Sequence, residues 1–143
     1  MSKWFVLFLV SVSISSYATG ADALFVGDSI AEGYKLAKKG TGLTRVGASP
    51  KMVNTFLNRV DLKNQLVVLS TGVSNDCQDL GTVSKNINYV SDRAKGFMLL
   101  GTLKCNKQTQ DWLKLTCMNL HNCVYFPIEQ LKSRDGVHPA RYE

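Results

Sequence analysis

Gln65-Leu66-Val67-Val68-Leu69-Ser70 is the stretch on which the fold turns. Its apolar run is continuous rather than alternating. Such a run predicts a strand buried on both faces, the environment of a parallel sheet. The flanking sequence alternates around it. Upstream, Ser49-Pro50 opens a helix, with serine as N-cap and proline at the first helical position. Met52, Val53, Phe56 and Leu57 give that helix an apolar stripe at helical spacing. Before it come a short strand over 43–46, a helix over 29–38 with Ile30, Tyr34 and Ala37 on one face, and a first strand over 23–26 ending at a glycine. Downstream, a helix over 80–95 carries Val83, Ile87, Val90 and Ala94 roughly in phase. A strand over 97–100, a helix over 109–118 with Trp112, Leu113 and Leu115, and a fifth strand over 123–128 follow. Strand and helix alternating five times predict an α/β protein, a three-layer α/β/α sandwich around a five-stranded parallel sheet. The chain has 143 residues, enough for one domain, and its 45% apolar content suits an ordinary globular core.

In parallel sheets ligands sit at the carboxyl ends of the strands. Ser29, Gly47 and Asn75 follow strands one, two and three, which places all three at that edge. Two motifs at the ends of the chain add to them. Gly27-Asp28-Ser29-Ile30 stands after the first strand, and Asp135-Gly136-Val137-His138-Pro139 stands close to the last residue. Serine, histidine and aspartate together are the parts of a nucleophilic triad. Each has a plainer alternative. Ser29 could cap its helix, Gly47 could be a turn glycine, and Asn75-Asp76 could form an Asx-turn or cap the next helix. Asp135-Gly136 could be an ordinary loop, with His138 on the surface. Asp28 is expected to be structural, and His121, with no partner motif, to lie in a surface turn.

Taken in order, these residues resemble the SGNH hydrolases, the GDSL esterase/lipase family. Gly27-Asp28-Ser29 is similar to the first block of that family, with Ile30 where leucine is commoner. Gly47 matches the lone glycine of the second block. Gly72-Val73-Ser74-Asn75-Asp76 matches the third, one residue longer than the usual spacing. Asp135 through Pro139 match the Asp-x-x-His-Pro of the last. The likeness covers residues 21–143. It implies a flavodoxin-like fold in which Ser29, His138 and Asp135 are catalytic. It also implies that the N–H groups of Ser29 and Gly47 and the side-chain amide of Asn75 form an oxyanion hole. Family members usually continue into a further helix, which is missing after Ala140-Arg141-Tyr142-Glu143. The implied activity is a serine esterase acting on small acyl esters, acetyl in particular, on a polysaccharide or peptidoglycan. Residues 21–37 are also similar to the start of periplasmic thioesterase/lysophospholipase enzymes of the family, which keeps that activity as an alternative. A non-catalytic glycan-binding module on the same fold is a second alternative.

The first twenty residues differ from the rest. Lys3 precedes an apolar run over 4–12 and a small, polar stretch over 13–20, which reads as a secretory signal peptide. The run is shorter than the ~20 residues of a membrane span. Cleavage after Gly20 is preferred over cleavage after Ala23, because it keeps Asp22 and Ala23 for the first strand. Four cysteines remain, Cys77, Cys105, Cys117 and Cys123, and an even number in an exported chain favours disulfides. Without a C-x-x-C pair a zinc site is disfavoured. Cys77 and Cys105 lie beyond strands three and four at one sheet edge, and Cys117 and Cys123 flank one short turn at the other. Of the three possible pairings, Cys77–Cys105 and Cys117–Cys123 is therefore preferred, worth about 3.6 and 2.4 kcal/mol in loop-closure entropy. A localisation outside the cytoplasm, secreted or periplasmic, follows. The net charge of +6 falls to +5 when Lys3 leaves with the leader. The lysines are scattered without interleaved aromatics, which argues against a nucleic-acid partner and suits, at most, an acidic polymer. No cofactor or metal is expected, the acylated molecule is the expected partner, and the chain is expected to be a monomer.

Overall fold

The computed structural model describes residues 23–142. The expected leader, its cleavage point, Ala21, Asp22 and Glu143 lie outside the described residues. Five strands, β1 (Ala23–Gly27), β2 (Thr41–Thr44), β3 (Leu66–Leu69), β4 (Gly96–Leu100) and β5 (Cys123–Phe126), alternate with four α-helices. The helices are α1 (Ser29–Ala37), α2 (Pro50–Leu57), α3 (Leu80–Arg93) and α4 (Lys107–Met118), and a 3-10 turn, Ile128–Gln130, follows β5. All strand pairs are parallel, in the order β2-β1-β3-β4-β5. This is a flavodoxin-like three-layer α/β/α fold.

The order explains the layers. The chain steps one way from β1 to β2, then reverses and passes β1 to reach β3. Right-handed crossovers put helices on opposite faces when the direction reverses. Accordingly α1 packs with Ala23, Phe25, Val68, Met98 and Leu100 on one face. The helices α2, α3 and α4 pack with Val26, Val67, Leu69, Phe97 and Leu99 on the other. The continuous apolar run of β3 is thus two alternating sets, Val67 and Leu69 toward one layer and Val68 toward the other. Each fully buried side chain of this kind contributes about 1.5–3 kcal/mol of transfer free energy. Among the described residues, no helix is long and apolar enough to cross a membrane.

Some element ends differ from expectation. The second strand runs over Thr41–Thr44 and not over 43–46. Apolarity was a poor guide at this sheet edge: Gly42 pairs with Phe25 inside the strand, whereas Val46 is 68% exposed in the turn beyond it. The fifth strand ends at Phe126 because Pro127 has no N–H to give the ladder, and Ile128 turns into the 3-10 segment. Tyr125 donates its hydroxyl proton to Glu129 Oε1 at 2.7 Å and holds that turn against the sheet. The helix expected over 80–95 stops at Arg93, where Ala94 adopts an extended conformation. The fourth helix starts two residues early because Asn106 caps it, accepting from the Thr109 N–H at 2.8 Å. Leu115 is exposed while Leu113 is buried, since two residues turn a helix by more than half a circle.

Both disulfides form in the preferred pairing. Cys77–Cys105 joins the loop after β3 to the loop after β4, and Cys117–Cys123 joins the end of α4 to the start of β5.

Gly27 ends β1 with φ +146, and a Cβ placed there would stand 2.1 Å from the Ser70 carbonyl oxygen and 2.4 Å from its hydroxyl. Those are atoms of the neighbouring chain after β3, and the backbone oxygen cannot swing away. Gly27→Ala is therefore expected to destabilise the fold by about 3 kcal/mol, the upper range for overpacking a core. Urea denaturation checks this: the midpoint falls while the slope is unchanged.

Candidate active site

The site begins at the turn from β1 into α1. Asp28 is fully buried and is the N-cap of α1, accepting from the Ile30 N–H at 3.0 Å. The same carboxylate oxygen accepts the Ser70 hydroxyl proton, and the Ser70 oxygen in turn accepts from the Asp28 N–H at 3.0 Å. Burial pushes the Asp28 carboxyl above its ordinary range, against the pull of the Ser70 hydroxyl and the Ile30 N–H. Asp28 is thus structural, as expected, and because it is the cap, Ser29 is not. The Ser29 side chain is left for other work at the first residue of α1, where backbone N–H groups lack partners inside the helix and the helix dipole is positive.

That side chain meets the far end of the chain. Ser29 Oγ stands 2.7 Å from His138 Nε2 across 109 residues of sequence. His138 Nδ1 stands 2.7 Å from Asp135 Oδ2. A carboxylate can only accept, so Nδ1 carries the proton and Nε2 is left to accept from the Ser29 hydroxyl. Asp135 Oδ1 accepts from the N–H groups of Val137 and His138, each at 2.8 Å. The His138 ring, and then these two N–H groups, hold the Asp135 carboxyl well below the usual carboxylate range, so it stays ionised through neutral and mildly acid solution. The dyad is open to water: the side chains of His138 and Asp135 are 36% and 54% exposed.

Gly47 and Asn75 lie one strand to either side of Ser29 in the sheet order, beyond the ends of β2 and β3. Gly47 has φ +79, and a Cβ there would meet nothing within 4 Å. The left-handed turn, rather than internal crowding, is what calls for glycine, and the open space lies on the solvent side. Asn75 is exposed and donates one amide hydrogen to the Ala48 carbonyl at 3.0 Å, which ties it beside Gly47 and leaves its second hydrogen available. Neither Asn75 nor Asp76 caps the next helix. Asp76 accepts from the Gln78 N–H in an Asx-turn, and Asp79 caps α3. The Cys77–Cys105 disulfide anchors this loop two residues after Asn75. His121 is exposed in a turn, as expected.

The structure therefore brings Ser29 and Asp135 each into contact with one ring nitrogen of His138, and places Gly47 and Asn75 beside each other at the same sheet edge. Two polar residues of the site carry no motif in the sequence. Ser70, which braces Asp28, stands in the sequence only as the end of a strand. Ser133, whose oxygen accepts from the Gly136 N–H at 3.0 Å, lies two residues before Asp135 with nothing to mark it. A cavity of about 470 Å³ lies elsewhere, beside α1 and behind the histidine loop, lined by Tyr34, Phe126, Leu131, Lys132, Ala140 and Arg141. None of Ser29, His138 and Asp135 lines it; Ser29 and His138 are half-buried and Asp135 is exposed.

Ser29, His138 and Asp135 can do nucleophilic chemistry: a hydroxyl whose proton has a bare imidazole nitrogen to go to, and an imidazole whose other nitrogen is held by a fixed negative charge. Neither protein-family models nor curated protein sequences match the chain at a significant level.

Proposed function

We propose that the protein is a secreted serine esterase that removes small acyl groups, acetyl in particular, from a polysaccharide or peptidoglycan. The observation that carries the proposal is the unbroken line Ser29 Oγ, His138 Nε2, His138 Nδ1, Asp135 Oδ2, with 2.7 Å at each hydrogen-bonded step. In the proposed reaction Ser29 Oγ attacks the ester carbonyl and its proton passes to His138 Nε2. Asp135 stabilises the imidazolium that forms. The N–H groups of Ser29 and Gly47 and the free amide hydrogen of Asn75 receive the negative oxygen, one such donor being worth about 2.7–4 kcal/mol of transition-state stabilisation. His138 then returns the proton to the leaving alcohol. Water, deprotonated by the same nitrogen, releases the acid from Ser29.

Exposure of Gly47, Asn75 and Asp135 supports a bulky acceptor bearing a short acyl group, since nothing encloses a long chain there. The net charge favours an acidic polymer, and the two disulfides suit an oxidising compartment. A thioesterase or lysophospholipase is the second proposal, supported by the likeness of residues 21–37 to the start of such enzymes. A rise in kcat/KM with acyl-chain length, measured on p-nitrophenyl esters, selects the second; a fall selects the first.

The direct test is covalent. A fluorophosphonate should label the protein once, at Ser29, with loss of p-nitrophenyl acetate hydrolysis in proportion to labelling. A folded protein that takes no label would overturn the enzyme and leave a binding module in its place.

A further inference from the structure

We infer that Ser133 is the positioning residue that holds the imidazole of His138 on line with Ser29, an inference that rests on the esterase proposal for its kinetic consequence but not for its geometry. The loop from Ser133 to His138 is largely exposed, and no strand or α-helix follows β5 among the described residues to carry it. Its order has to come from hydrogen bonds within the loop. Those bonds converge on two side chains. Asp135 gathers the N–H groups of Val137 and His138 on one oxygen and the imidazole on the other. Ser133 does the complementary work beside it. Its oxygen accepts from the Gly136 N–H at 3.0 Å, and its proton goes to the His138 carbonyl at 2.6 Å. The same hydroxyl lies 3.3 Å from Asp135 Oδ1, too far to compete for that proton with the shorter bond.

One hydroxyl thus spans the loop, fixing the start of the turn at Gly136 and the backbone of the histidine itself. Just outside it, the Ala140 N–H donates to the Lys132 carbonyl at 2.7 Å and closes the base of the same loop. Asp135 sets which way the imidazole faces. Ser133 holds the His138 carbonyl, as Asp135 Oδ1 holds its N–H, and so completes the fixing of its backbone. Without Ser133 the carbonyl of His138 and the N–H of Gly136 turn to water, which is close at hand, so the cost falls on geometry and not on the stability of the fold. A displacement of a catalytic base by a fraction of an ångström is enough to slow proton transfer.

The test uses three variants of the full chain, Ser133→Ala, Ser133→Thr and Ser133→Val, where threonine keeps the hydroxyl and valine removes it at the same volume. Alanine and valine are expected to lower kcat for p-nitrophenyl acetate about tenfold, with KM within about twofold and the thermal midpoint within a few degrees. Threonine is expected to restore the rate. A second readout does not depend on turnover: the His138 Nδ1 proton, bonded to Asp135, gives a far-downfield proton NMR signal that should be present in the parent and threonine proteins and broadened or lost in alanine and valine. Threonine and valine proteins that match in both rate and NMR signal would overturn the inference, as would an alanine protein that keeps both. If the parent protein hydrolyses no ester, the esterase proposal fails, and the NMR comparison of threonine with valine still decides the role of Ser133.

Discussion

Ser29→Ala will lower kcat for p-nitrophenyl acetate by about five to six orders of magnitude, the loss seen when a triad nucleophile is removed. That is about 7–8 kcal/mol of transition-state free energy. The fold is expected to tolerate the change. Asp28, not Ser29, caps α1, so the helix keeps its N-terminal hydrogen bond to Ile30. Among the described residues the side-chain bond lost is the one to His138, whose side chain is 36% exposed to water. The thermal midpoint should therefore stay within a few degrees of the parent, and circular dichroism should be superimposable. Fluorophosphonate labelling should disappear together with turnover. Residual turnover above about one per cent of the parent would mean that another group attacks the ester, and the assignment of Ser29 would be withdrawn.

Asp135→Asn is expected to lower kcat by about 10³-fold while KM changes little. The carboxamide oxygen can still accept from the N–H groups of Val137 and His138, so the loop keeps its turn. The other arm now presents an N–H to His138 Nδ1. That nitrogen must become the acceptor, and the ring proton moves to Nε2, where it faces the Ser29 hydroxyl and blocks transfer. The loss should be smaller than that for a fully buried triad acid, where about four orders of magnitude are typical. Asp135 is 54% exposed, and water can compete for the Nδ1 position and return part of the population to the active tautomer. Asp135→Ala makes a useful contrast. It frees the ring but also loses the two backbone bonds, so it should cost stability of the loop as well as rate. Equal activity of the asparagine and parent proteins would remove Asp135 from the mechanism.

The central strand was legible because burial on both faces leaves an unmistakable trace: Leu66 to Leu69 has no polar residue to spare for solvent. The caps at Ser49 and the apolar phases of α2 and α3 were legible for a similar reason, since each depends on neighbours within one or two turns. The second strand lies two residues before its expected place because an edge strand is chosen by its partner. Gly42 fits beside Phe25, where a side chain would strike the Phe25 backbone, and nothing local announces that. The disulfide pairing followed from the placement of the strands alone.

At the candidate site, Ser29, Asp135 and His138 were legible as motifs. Their contact was an inference from topology, and the geometry bears on it through the two 2.7 Å distances. Asp28 could be guessed to be structural, but its partner could not, because Ser70 lies 42 residues away and a serine at a strand end has many uses. Ser133 was invisible for the opposite reason. Its partners are close in sequence, yet they are backbone groups, which every residue possesses.

The distance of 109 residues between Ser29 and His138 has a consequence for how the protein matures. Among the described residues, the strand that leads to Ser29 precedes every other strand, and the loop that carries His138 follows them all. A parallel sheet gains nothing from its long-range pairings until the intervening loops have closed, so its assembly is intrinsically slow. The site is therefore a seam between the earliest and the latest of the described elements. On the proposed mechanism, a nascent chain that has built β1 through β5 but not yet seated residues 133–138 would be folded and inactive. Regain of turnover on refolding should consequently trail regain of secondary structure, and reports the closing of that seam.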